Sequence, residues 1–219
     1  MCVLEDNGAV TPVFLAPLGA ASGADPLAFP ALFSSRLRIF ALTAFDPPGE
    51  ARLLEDNTRE NNKLAEAILS MDPQPARVWP SFGFHLTEGW REDGFCIVFE
   101  RRSEGDAGSW SAGTKASQTA AVVALASRFR QGAIFCYEPS VDATGHDVLV
   151  RTTIPCIFQD VEPEAATVVQ RVPRPGQALG STPLTDAQRT LVERPWAGPA
   201  DRLAKRHAKE EDAGGVKNG

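Results

Sequence analysis

Few residues in this chain have the type and spacing that chemistry requires. The four cysteines, Cys2, Cys96, Cys136 and Cys156, form no C-x-x-C pair, and no histidine stands at zinc-ligand spacing from any of them. Cys96 and Cys136 lie inside apolar runs and read as buried reduced thiols behaving as small hydrophobes. Gly83-Phe84-His85 and Gly105-Asp106-Ala107-Gly108 are not phosphate loops, because no Lys-Ser/Thr follows them. There is no G-x-S-x-G elbow to present a serine nucleophile. Neither a metal nor a cofactor is therefore expected. What remains is a set of polar residues suited to hydrogen bonding and acid–base work. Asn57 and Asn61 recur at helical spacing, Asp46 follows an apolar run, and Glu92 stands beside Trp90. Among the scattered histidines, His85 lies nearest that pair.

The elements that must position these residues can be read from pattern. Leu37 to Phe45 is β-rich and almost continuously apolar, and Asp46-Pro47-Pro48-Gly49 stops it. Leu53 to Met71 predicts a helix, with Leu64, Ile68 and Met71 on one stripe. Projected backwards, that stripe passes through Asn61 and Asn57, so one face is half amide and half aliphatic. Glu50, Glu55 and Asp56 crowd its N-terminal end, where the helix dipole favours negative charge. Arg77 to Phe84 reads as a strand, at an edge or bent by Pro80. His85 to Asp93 reads as a polar loop carrying Trp90, and Phe95 to Phe99 as an apolar strand. Arg101 to Gly113 is a charged surface connection. Ser117 to Gln131 predicts a second helix, followed by strands at Ala133 to Tyr137 and Asp147 to Ile154, the last two antiparallel.

Strand, helix, strand, strand, helix, strand, with one strand more, matches the split β-α-β, ferredoxin-like arrangement. The expected fold is thus α+β: an antiparallel sheet with two main helices and extra edge strands. The alternative is a three-layer α/β sheet. It arises because the strands at 37–45 and 95–99 lack the alternation of a sheet wet on one side. Something must cover their second face: the first 35 residues, the segment after Pro155, or another subunit. Residues 1–35 are read as an N-terminal extension packing on the core, 36–155 as the core domain, and 156–219 as an extended segment and largely disordered tail. Within the extension, Pro12 to Leu18 suggests an edge strand and Pro26 to Ser35 a short helix. Beyond the core, Val168 and Val169 suggest an edge contact and Leu184 to Val192 a short helix. Seven prolines fall between Pro155 and Pro199, and the charges after Asp201 carry no apolar stripe, so that stretch cannot offset its ordering entropy.

Hydrophobic residues make up 43% of the 219, which is enough for a packed core, and the net charge is −6. An acidic chain is a poor nucleic-acid partner, since phosphate binding needs a concentrated basic face. No apolar run is long enough to cross a bilayer, and the first 35 residues hold no Lys or Arg for a targeting signal. The expected location is cytoplasmic.

Four stretches resemble an uncharacterised family, domain of unknown function 3293 (DUF3293). They are Thr43-Ala44-Phe45-Asp46-Pro47, Asp56-Asn57 with Asn61 and Leu64, Trp90-Arg91-Glu92, and Phe129-Arg130-Gln131-Gly132-Ala133-Ile134. The family pattern is roughly T-A-x-N-P, E-N-x-x-x-N-x-x-L, W-x-E-x-S and F-G-Q-N-A, in the same order. This chain departs from it at Asp46, Asp56, Gly94, Arg130 and Gly132. The resemblance implies no activity.

Within that pattern the recurring types are amides and one carboxylate. As a small-molecule site, Asn57, Asn61 and Gln131 would hydrogen-bond a polar, nucleotide-like ligand, and Trp90 would give a stacking wall with His85 nearby. If the protein is an enzyme, Glu92 is the best general base and Asp46 the second carboxylate. The same residues also suit a structural role: the asparagines bonding backbone of neighbouring loops, Glu92 pairing with Arg91 or Arg77, and Gln131 capping the second helix. A third reading is a non-catalytic interaction module, with the apolar strands hiding a homodimer face.

Overall fold

The computed structural model describes residues 2–4, 10–12, 36–47, 50–85, 89–100, 110–141, 145, 147–157, 168–172 and 185–196. The helix expected within Pro26 to Ser35 and the tail from Asp201 lie outside the described residues. The elements are β1 (Cys2–Leu4), β2 (Val10–Pro12), β3 (Leu37–Thr43), α1 (Leu54–Leu69), β4 (Arg77–His85), β5 (Trp90–Glu100), α2 (Ala112–Arg128), β6 (Ala133–Val141), β7 (Asp147–Pro155), β8 (Val168–Val172) and α3 (Asp186–Glu193). Among the described residues the fold is mixed α+β, with three helices and one open antiparallel sheet. Its five long strands run β4-β5-β3-β6-β7, flanked by β1 and β2 beyond β4 and by β8 beyond β7. The edge contact expected at Val168 and Val169 is β8, paired with β7. The antiparallel pairing expected between the strands at 133 and 147 is the β6–β7 ladder.

Both faces of the central strands are apolar because both are buried. Phe40, Leu42, Phe95, Ile97, Phe99, Ile134 and Cys136 point to one side, where Leu64, Ala65 and Ile68 of α1 and Val122, Leu125 and Ala126 of α2 close over them. Each of these large side chains contributes roughly 1.5–3 kcal/mol on burial. On the other side Ile39, Trp79, Cys96, Val98, Tyr137 and Leu149 form a second buried cluster, which no residue of the described helices enters. That cluster is buried within a single chain, so a second subunit is not needed to keep it dry.

The polar loop expected at 85–93 is shorter, because His85 is the last residue of β4 and Trp90 to Asp93 are the first of β5, with His85 opposite Trp90. Helix α2 also starts earlier than Ser117. Ser111 caps it by accepting from the Thr114 backbone N–H at 3.1 Å.

Two buried arginines tie helices to the sheet. Arg38 on β3 donates to the Lys115 carbonyl at 2.8 Å and to the Thr119 hydroxyl at 2.9 Å, both on α2. Arg91 on β5 pairs with Asp93 at 2.6 Å and donates to the carbonyls of Leu191 and Arg194 at 3.0 and 2.8 Å. A cation at the last carbonyls of α3 is favoured by the helix dipole. Trp196 completes the attachment, donating to the Ser81 carbonyl at 3.1 Å and meeting Phe95 edge-on.

Candidate functional site

The amide face of α1 points inward, against the end of β3. Asn61 is fully buried; its Oδ1 accepts from the Ala44 N–H at 3.0 Å and its Nδ2 donates to the Asp93 carbonyl at 2.7 Å. Asn57 accepts from the Asp46 N–H and donates back to the Asp46 carboxylate, both at 3.0 Å. Gln131 donates to the Phe45 carbonyl at 3.2 Å. Three consecutive residues, Ala44 to Asp46, are thus held by three amides, two from α1 and one from the connection between α2 and β6. Asp46 itself has a left-handed backbone, with φ of 33°. Its carboxylate also accepts from the Arg52 N–H at 2.8 Å, which closes the loop into α1. Asn57 and Asn61 therefore act on backbone, as the structural reading expected, and Asp46 is tied to the same loop.

The second face of the sheet carries a cavity of about 360 Å³. Its floor is made of small side chains. Ala41, Thr43, Ser81, Gly83, Gly94 and Ala133 come from four neighbouring strands and leave a basin where large residues would fill the sheet surface. Gly94 is required there for a further reason: a Cβ on it would stand 2.4 Å from the Leu42 carbonyl oxygen. The walls are Trp90, Phe135, Tyr137 and Arg151, with Glu92 and Gln131 at one side.

Glu92 stands opposite Gly83 in the β4–β5 ladder, so no side chain faces it there. It points to the opposite side of β5 from Arg91 and Asp93, which pair with each other in the core. The expected pairing of Glu92 with Arg91 therefore does not form. Burial, with the nearby negative charge of Asp46 adding to it, pushes the Glu92 carboxyl from its ordinary 4.5 up to about 7. An acid of that strength exchanges its proton near neutral pH and can accept or donate it to a bound group. By contrast, burial raises the thiols of Cys96 to about 11 and Cys136 to about 12, which keeps both protonated and inert.

Of the residues singled out in the sequence, Trp90, Glu92 and Gln131 come together at the cavity. Asn57, Asn61 and Asp46 brace the loop behind it. His85 ends β4 beside Trp90, and its side chain lies outside those described. Sequence reasoning missed Arg151, Phe135 and Tyr137. Their signal is the register: Arg151 is opposite Tyr137, and Phe135 is opposite Ala41. Among the described residues no group of three or more His, Cys, Asp or Glu could hold a metal ion. No described helix is long and apolar enough to cross a membrane.

All four motifs and the braced loop fall inside one stretch of chain. Residues 42–134 match the family model described as protein of unknown function, DUF3293. The matched segment runs from β3 to the start of β6, so it includes the amide brace, Trp90, Glu92 and Gln131, while Phe135, Tyr137 and Arg151 lie beyond it. No curated protein and no solved structure matches the chain.

Proposed function

We propose that this domain binds a small polar metabolite with a flat ring, nucleotide-like in outline, in the cavity beside Glu92. The observation that supports this most is the pairing of an exposed tryptophan with a largely buried acid over a floor of small residues. Trp90 is 43% exposed, which is open enough to stack on a ring, and a Cβ at Gly83 would only just touch it at 4.0 Å. The volume of about 360 Å³ falls within the range of small-molecule pockets. In this reading Glu92, Trp90 and Gln131 meet the ligand, and Asn57, Asn61 and Asp46 position the loop. Glu92 is also the group placed to serve as a general base if the bound molecule reacts.

We read the architecture as a split β-α-β, ferredoxin-like core. The order β6-β3-β5-β4, with α1 joining β3 to β4 and α2 joining β5 to β6, supports that reading. The net charge of −6 suits a freely diffusing cytoplasmic protein.

A thermal-shift screen against nucleotides and polar metabolites tests the function. A ligand at a hundred times its Kd adds about 2.7 kcal/mol and raises the midpoint by several degrees. Glu92→Gln and Trp90→Ala should abolish the shift, whereas Asn57→Ala should lower the midpoint yet keep the shift. A broad library giving no shift, or a shift untouched by the first two variants, counts against a site here.

A further inference from the structure

The cavity has two chemically different ends. Trp90 and Glu92 stand at the β5 end; Phe135, Tyr137 and Arg151 stand at the β6–β7 end. Ala41 and Thr43 of β3 lie between them as floor. Glu92 and Arg151 are three strand spacings apart, roughly 14 Å between strand axes. They also stand at different levels: Arg151 is opposite Tyr137, Tyr137 opposite Ile39 and Ile39 opposite Val98, six positions or roughly 20 Å along β5 from Glu92. The path between them is therefore diagonal, and the two side chains must reach towards each other. The Arg151 guanidinium leans over the Phe135 ring, 5.2 Å from its centroid, and Phe135 is itself 38% exposed. Tyr137, opposite Arg151, is held neutral by burial, so no phenolate competes for the cation. A single occupant would therefore meet an aromatic face and a carboxyl at one end, and an aromatic face and a cation at the other.

We propose that the cavity takes a nucleoside monophosphate, with its base edge on Glu92 beside Trp90 and its phosphate on Arg151. This rests on the reading of the cavity as a ligand site and adds the ligand's class and direction. A carboxyl at the Glu92 position suits the N–H edge of a base. The guanidinium offers five N–H donors in a planar fork that matches phosphate oxygens, so it can serve a phosphate alongside other acceptors. The small floor leaves room for a ring and a sugar lying diagonally over β5, β3 and β6, from the level of Glu92 to that of Phe135, over which the Arg151 guanidinium leans.

Calorimetric titration of the full chain tests this, using the adenine, guanine, cytosine and uracil nucleosides and their 5′-monophosphates at low salt. At least one monophosphate should bind ten- to a hundredfold tighter than its nucleoside, the size of effect a hydrogen bond to a charged group gives. Arg151→Gln should bring that monophosphate down to the level of its nucleoside while leaving nucleoside affinity within about twofold, which also shows an intact fold. Arg151→Lys should recover part of the difference, and Glu92→Gln should weaken nucleoside and monophosphate alike. The proposal fails if nucleosides bind as tightly as monophosphates, or if Arg151→Gln weakens both equally. It also fails if the monophosphates are silent. In that last case a different metabolite with a shift sensitive to Glu92→Gln would keep the site, and silence from the whole library would remove both.

Discussion

Replacing Glu92 by glutamine should make the protein more stable at alkaline pH and leave it nearly unchanged in acid. The sign follows from linkage. A carboxyl held at about 7 in the fold and near 4.5 in the unfolded chain keeps its proton longer when folded. Its contribution to stability is therefore fullest below the unfolded value and is lost as pH rises towards the folded one. Raising the carboxyl from 4.5 to about 7 corresponds to about 3 kcal/mol, at 1.36 kcal/mol for each pH unit. Glu92 is partly exposed, so solvent screening reduces that figure. Glutamine has the shape of the protonated acid and does not ionise. Urea denaturation of the parent and of Glu92→Gln at pH 5, 6, 7 and 8 should show a difference that grows to about 2 kcal/mol in favour of glutamine, with equal m-values. A difference that stays flat across this range would refute the reasoning, because the carboxyl would then be titrating as an ordinary surface acid. Lower stability of the glutamine variant at pH 8 would refute it equally.

Asn61→Ala leaves the buried Ala44 N–H unpaired, while the Asp93 carbonyl keeps the Thr43 hydroxyl at 2.6 Å. A loss of about 2–3 kcal/mol is expected in urea denaturation. Gly94→Ala places a methyl 2.4 Å from the Leu42 carbonyl oxygen, and backbone must move to admit it. It should lower stability by about 1–3 kcal/mol and shift amide resonances of Leu42 and Thr43. Arg130 has a left-handed backbone, with φ of 58°, and its guanidinium pairs with Glu50 at the surface. Arg130→Gly relieves the strain and loses only an exposed ion pair, so stability should stay within about 1 kcal/mol of the parent. Arg91→Ala leaves the Asp93 carboxylate without its closest buried partner and should cost about 3–5 kcal/mol, with early proteolytic cleavage near α3.

The long elements were legible because their patterns are strong. The apolar run at 37–45 gave a strand ending at Thr43, and the Leu64–Ile68 stripe gave α1 with its amides turned inward. The first turns of β5 were hidden for a physical reason. Arg91 and Asp93 neutralise each other in the core, so a buried strand face carries two charges and reads as a polar loop. The start of α2 was hidden because Ala112 to Ala116 carries no apolar stripe and rests on a serine cap. At the site, residue type alone separated Trp90, Glu92 and Gln131 from the background. It did not separate them from Asn57 and Asn61, since an amide that bonds a ligand and one that bonds backbone look alike in one dimension. Arg151, Phe135 and Tyr137 needed the pairing of β6 with β3 and β7. A glycine such as Gly94 signals a close backbone approach only once β3 is known to lie alongside it, with Thr43 opposite and the Leu42 carbonyl close by.

Strand β5 links the cavity to the rest of the molecule through its alternation. Arg91 and Asp93 face the helices, where they hold the carbonyls of Leu191 and Arg194 and receive Arg194 at 3.4 Å. Trp90, Glu92 and Gly94 face the cavity. The Asp93 carbonyl also accepts from Asn61 and Thr43, so the backbone at Glu92 is fixed from both neighbouring elements. The acid therefore keeps its position without a hydrogen-bonded partner of its own among the described residues. A carboxyl left without such a partner in a partly buried place lowers the stability of the fold at neutral pH. The surrounding strand is rigid enough to bear that cost. A merely structural glutamate would gain from being glutamine, or from a lysine or arginine across the hairpin, yet the residue across from it is Gly83. Glycine there removes a potential partner and opens the floor with a single choice, and both consequences favour a group kept available for something that enters the cavity.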